Sequence, residues 1–200
     1  MNGAREVVLG RIRAALAGVE PVGDVARSYR RSGSLPSEDV VARFVERVTD
    51  YGARVVSPDD VPGLLAGRTI GIAPDLPPHL RPAGVTVVED DGLEPAALDG
   101  LDGALTTCGV ACADTGTIAL TGGPGEGRRA LTLVPDLHVC VVGADQVVET
   151  VPELFARLEP IARAGRAIVL VSGPSATSDI ELERVEGVHG PRRLVVVLAS

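Results

Sequence analysis

The chain has 200 residues, 45% hydrophobic and only 2% aromatic, so it can bury one domain-sized core, and that core is aliphatic. A formal charge of −8 argues against a nucleic-acid surface or an anionic membrane as partner, and no stretch approaches the roughly 18 apolar residues of a bilayer span. Every basic residue is Arg; without lysine there is no Walker-type phosphate loop and no Schiff-base or pyridoxal phosphate mechanism.

Val8, Leu9, Ile12 and Leu16 recur at helical spacing and predict a helix over residues 4–17. It lacks the uninterrupted apolar run of a secretory signal, so the chain reads as cytoplasmic. "GVEPVGDVARSYRRSGSLP" then loses all periodicity and gathers Gly, Pro, Ser and Arg, with Tyr29 in a solvated setting. The expected division is an arm of helix and flexible linker over 1–36 and an α/β domain over 37–200.

"SEDVVARFVERVTDYG" is a helix with Val41, Phe44, Val45 and Val48 on one face and Gly52 as its stop. "ARVVS", "RTIGIA" and "VTVVE" are short strands, with a helical piece in "PDDVPGLLAG". Further strands are expected in "GALTTCG", "TIALTG", "HVCVVG", "AIVLVSG" and "LVVVLA", the last two as core strands. "TVPELFARLEPIARAG" is a helix whose Thr150 and Glu153 fit a capping box. Strands alternating with helices give an α/β fold: a Rossmann-like layered, largely parallel sheet with helices on both faces.

In such sheets ligands bind at loops leaving the carboxyl ends of strands. Two loops are more polar than a connection requires. In "ADTGTIALTGGPGEGRR" four of the six residues from Gly122 to Gly127 are Gly, followed by Arg128 and Arg129. The loop either lets the backbone approach an anion that an arginine clamps, or is a turn with two solvated arginines. In "SGPSATSDIELERVEGVHGP", Ser178 and Glu181 match a capping box and predict a short helix, with Ser175 and Thr177 at its anion-binding edge and Asp179 in its first turn. His189, between Gly-Val and Gly-Pro before the last strand, either serves structure or handles protons near neutral pH. The cysteines, Cys108, Cys112 and Cys140, are too few and too oddly spaced for a zinc or iron–sulfur site and read as buried small hydrophobes. No cofactor follows from the residues.

"ADTGTIAL", "GEGRRALTLVPDLHVCVV" and "SGPSATSDIELERVEGVHGPRRLVVVL", in that order, resemble the LUD-domain family, in particular its lactate utilization protein C group. Many members carry Glu where this chain has Asp114, which keeps the carboxylate and shortens its reach. The resemblance covers about residues 37–200. It implies a fold similar to ribose-phosphate isomerases and CoA transferases. It also implies a part in oxidising L-lactate to pyruvate, beside partner subunits that carry iron–sulfur clusters. On this reading Asp114, Asp179, Glu181 and His189 are the proton-handling candidates. Thr115, Gly125, Glu126, Gly127, Arg128, Arg129, Ser175 and Thr177 would hold a small anionic ligand. A free-standing enzyme acting on a phosphorylated or CoA-like ligand and a non-catalytic regulatory or assembly module are the alternatives.

Overall fold

The computed structural model describes residues 3–19, 23–178 and 184–199. Its helices are α1 (Gly3–Ala15), α2 (Ser37–Asp50), α3 (Val61–Leu65), α4 (Pro95–Asp99) and α5 (Val151–Arg163). Its strands are β1 (Arg54–Val56), β2 (Thr69–Ile72), β3 (Thr86–Glu89), β4 (Gly103–Thr106), β5 (Val110–Cys112) and β6 (Thr117–Leu120), followed by β7 (Leu137–Gly143), β8 (Val147–Val148), β9 (Val169–Val171), β10 (Ala176–Ser178), β11 (Arg184–Glu186) and β12 (Arg193–Ala199).

Six strands form a wholly parallel sheet in the order β1-β12-β7-β4-β2-β3. Its spine is the seven-residue pairing of β12 with β7, from Arg193 opposite Leu137 to Ala199 opposite Gly143. Alternation along these strands divides their side chains between two cores. Cys140, Val142, Leu194 and Val196 face α2, where Val40, Phe44 and Val48 make the buried stripe at i, i+4 and i+8. Val139, Val141, Val195 and Val197 face the opposite way and pack with Leu65, Ile70 and Leu105. The layered α/β fold expected from the alternation of elements is thus present, with helices on both faces.

A second sheet, ordered β8-β5-β6-β9, lies against the α2 side; Ile118 and Leu120 of β6 join the core that Phe44 fills. Its other face packs Val110, Cys112 and Ala119 against Leu154 and Leu158 of α5. The start of α5 is fixed by Glu153, whose carboxylate accepts the Thr150 amide at 2.8 Å and its hydroxyl at 2.9 Å, the expected cap. "AIVLV" is not a core strand of the main sheet. It ends in β9, which among the described residues pairs only with β6 and leaves Leu170 half exposed.

Ala176–Ser178 is a strand, paired antiparallel with Arg184–Glu186. The short helix expected after Ser178 falls on residues 179–183, which lie outside the described residues, and Asp179 and Glu181 with them.

α1 buries none of its residues, although Val7, Val8 and Ile12 are apolar. The chain meets the body at Gly33–Leu35. The Gly33 amide donates to Glu153 at 3.1 Å, and the amides of Ser34 and Leu35 donate to one oxygen of Glu149 at 2.5 and 2.7 Å. Glu149 is only 7% exposed and its carboxylate fills the space beside Gly33, where a Cβ would come within 1.9 Å of it. Glu149→Ala strands two amides, and we expect a loss of about 2 kcal/mol in urea unfolding. In the wild type, trypsin is expected to cut first at Arg27, Arg30 or Arg31, the test of a mobile arm; first cuts within residues 100–200 would refute that division.

Candidate functional site

The two polar segments singled out in the sequence meet at a cleft of about 530 Å³. Ser172–Ser175 line one side and His189–Pro191 another, with Arg129, Thr132 and His138 between them. Ser175 fastens the two walls, Ser172–Ser175 and His189–Pro191, together. Its amide donates to the Pro191 carbonyl at 2.8 Å, its carbonyl accepts the Gly187 amide at 2.9 Å, and its Oγ accepts the His189 amide at 2.9 Å. Having accepted there, the hydroxyl keeps its own proton to donate.

The cleft opens at the amino ends of β7 and β12, because His138 and Leu194 are the second residues of those strands and Arg129 and His189 precede them. The sequence points to loops at the carboxyl ends of strands, whereas this cleft lies at the amino ends of β7 and β12. Only β9, in the second sheet, delivers its carboxyl end here, at Ser172.

Arg128 and Arg129 part company. Arg128 grips Asp90, its Nε 3.0 and 2.8 Å from the two carboxylate oxygens and its Nη2 2.8 Å from Oδ1, and also bonds the Leu93 carbonyl. Burial pushes the Asp90 carboxyl up, but the Arg128 side chain and the amides of Leu93 and Gly92 outweigh it and hold it below its ordinary value. Arg129 instead reaches the cleft. Its Nη1 donates to the Thr132 carbonyl at 3.1 Å and hydroxyl at 3.0 Å, and its Nη2 to the His189 carbonyl at 3.1 Å. Nε–H and one Nη2 proton have no acceptor among the described residues. Desolvation lowers its pKa, yet a guanidinium stays charged.

The glycine-rich loop closes on itself. Glu126, 3% exposed, accepts the Thr121 amide, the Thr121 hydroxyl at 2.8 Å and the Gly122 amide at 3.2 Å. Gly125, at φ +74°, donates to Asp75 at 3.1 Å, and a Cβ there would strike Thr107 at 2.9 Å. Gly125, Glu126 and Gly127 do not line the cleft. Their chemistry is that of a tight turn.

"DTGT" reaches the cleft indirectly. Asp114 is paired with Arg43 at 2.9 Å, and Gly116, at φ +56°, lies so close to α2 that a Cβ would be 2.7 Å from the Val48 nitrogen. The Thr115 hydroxyl lies 2.7 Å from that of Thr117, which lies 2.8 Å from Ser172 Oγ on the cleft wall. The side chain of Thr177 lies outside the described residues.

Sequence reasoning missed His138. It is 3% exposed, its Nε2 is 2.9 Å from Thr106 Oγ1, and it lines the cleft floor. Burial first, and the positive Arg129 second, depress its pKa to about 4, so the ring is neutral near pH 7. The available signal was a lone histidine at a core-facing position within "LHVCVV". The cysteines occupy two places. Cys108 and Cys140 lie in the core beneath α2, where the neighbouring Cys140 first and burial second raise the Cys108 thiol, whereas Cys112 sits under α5. Among the described residues no group of three or more His, Cys, Asp or Glu could hold a metal ion, and no helix is long and apolar enough to cross a membrane.

A family model described as the LUD domain matches residues 88–199, a span containing Asp114, Arg129, His138, Ser175 and His189. A Deinococcus radiodurans protein named lactate utilization protein C is 41% identical over 205 residues, spanning 98% of this chain and 96% of that protein. A Bacillus pumilus protein of the same name is 37% identical over 90 residues, covering 43% of this chain and 37% of its own length. The crystal structure of a DUF162 family protein from Deinococcus radiodurans is similar with a TM-score of 0.69 at 35% identity, covering 84% of this chain and 100% of that one.

Two variants separate structure from site. Arg128→Ala leaves Asp90 buried without its cation and is expected to cost about 1–3 kcal/mol in urea unfolding, whereas Arg129→Ala costs little. For His138 the folded pKa lies below the unfolded one, so the unfolded chain binds the extra proton and stability falls as pH drops from about 6.5 towards 4. From pH 7 to pH 5 this group should account for about 2 kcal/mol of lost stability. His138→Gln, which keeps a donor to Thr106, should lose that part of the pH dependence.

Proposed function

The chain belongs to the LUD-domain family, and from that premise we propose that it serves lactate utilization, as a cytoplasmic subunit or accessory protein of a system oxidising L-lactate to pyruvate, with the cleft holding a small carboxylate. The observation that carries the ligand reading is Arg129. In a chain of net charge −8, one guanidinium is partly desolvated on a cleft wall and retains two unused protons, beside the Ser175 hydroxyl and a neutral histidine. Planar paired donors suit a carboxylate, and partial burial strengthens the bond. His189, on the cleft, is the candidate for moving a proton at its edge, whereas the Asp114 carboxylate is turned to Arg43.

Removing two electrons from lactate requires an acceptor. Three buried cysteines, two beneath α2 and one under α5, fall short of the roughly four ligands of a cluster, which supports partner subunits carrying the iron–sulfur centres. A phosphate or CoA grip by the glycine-rich loop has less support, since Glu126 and Arg128 are turned to internal partners.

His189→Ala and Arg129→Ala are expected to fold with near-wild-type stability yet fail to restore growth on L-lactate to a deletion strain. The same strain carrying a tagged wild-type chain, grown on lactate, is expected to yield iron-containing partners on pull-down. Wild-type growth of both variants would place the site elsewhere.

A further inference from the structure

His138 offers the cleft one half of a hydrogen bond. The Thr106 hydroxyl lies 2.9 Å from the Thr107 carbonyl oxygen and 2.9 Å from His138 Nε2. A carbonyl can only accept, so the single hydroxyl proton goes to Thr107, and the Thr106 lone pair receives Nε2–H. In a neutral ring protonated at Nε2, Nδ1 carries the lone pair. Nδ1 has no partner among the described residues, and among these no fully buried side-chain nitrogen or oxygen lacks one. The small exposed part of this 3%-exposed residue therefore includes Nδ1, and the surface it reaches is the cleft. A nearly buried acceptor facing a cavity calls for a donor from the ligand.

We propose that the cleft selects 2-hydroxy carboxylates over their 2-oxo counterparts, Arg129 taking the carboxylate and His138 Nδ1 accepting the hydroxyl hydrogen. The inference rests on the carboxylate reading of the cleft given above. A 2-oxo oxygen would set acceptor against acceptor, and an unsubstituted acid would leave Nδ1 unpaired; sites built to bond a hydroxyl discriminate strongly against ligands that lack one. Thr106 is a positioning residue, since it fixes which ring nitrogen keeps the proton. The nearby Arg129 charge works in the same direction by disfavouring a second proton on the ring.

Calorimetric titration of the full chain near neutral pH with L-lactate, pyruvate and propionate tests this. L-lactate should bind about tenfold more tightly than either of the others, the worth of one hydrogen bond. All three should weaken together in Arg129→Gln. Thr106→Val should bring the three affinities within about twofold while leaving propionate unchanged, because the ring then loses its fixed tautomer. Nitrogen-15 spectra of wild-type His138 should show an unprotonated Nδ1 whose signal moves with L-lactate and not with propionate, a readout that does not depend on any variant folding. Equal affinities that still depend on Arg129, or tighter pyruvate, would overturn the role of His138 and leave the carboxylate site standing. A protonated Nδ1 would overturn it as well. Failure of all three acids to bind would overturn both readings.

Discussion

The register between β7 and β12 is the constraint from which the rest follows. Seven consecutive parallel pairs put Leu194 opposite His138 and Val196 opposite Cys140, so that alternate residues feed two different cores. A slip of one residue would carry each aliphatic side chain of β12 to the wrong face. It would also break the match that brings the loop before β12 over the loop before β7. The cleft exists because those two loops start from adjacent strands in this one alignment.

The loops are then made rigid by different means. The first contains Arg128, locked onto an Asp90 carboxylate with no exposed surface, which fixes the main chain that carries its neighbour Arg129. The second is clasped to the end of β9 through the amide, carbonyl and hydroxyl of Ser175. Arg129 spans both, bonding Thr132 on one side and the His189 carbonyl on the other. Neither Ser175 nor Arg129 sits in a regular element, yet both are placed by strands. Preorganised donors of this kind lose little freedom when an anion arrives.

Much of the fold is written in local pattern. α2, α5 and the strands of the main sheet show their period or their aliphatic runs directly, and the Thr150–Glu153 cap is present as spaced. The second sheet is hidden because β5 and β8 are three and two residues long and show no alternation. The site is less legible still. Nothing in "RR" says which arginine turns to Asp90 and which to the cleft, because Asp90 is remote in sequence. His138 is masked by the apolar run around it. The strand at Ala176–Ser178 carries no pattern of its own, because its partner Arg184–Glu186 lies further along the chain. The glycine-rich loop reads equally as ligand grip or turn, and the contacts of Glu126 with Thr121 and Gly122 are not marked in its composition.

The sheet order has a consequence for biosynthesis. Among the described residues β1 pairs only with β12, the last strand described, and β12 separates β1 from every other strand of the sheet. While the chain emerges from the ribosome, β1 appears early but has no strand to pair with until residues 193–199 follow. During that interval the Val40–Phe44–Val48 stripe remains uncovered on one side, and its closure depends on a contact between distant parts of the chain. Such late, non-local closure slows folding and leaves an apolar surface open to chaperones. The cleft shares that timing, since it cannot form before the last strand enters.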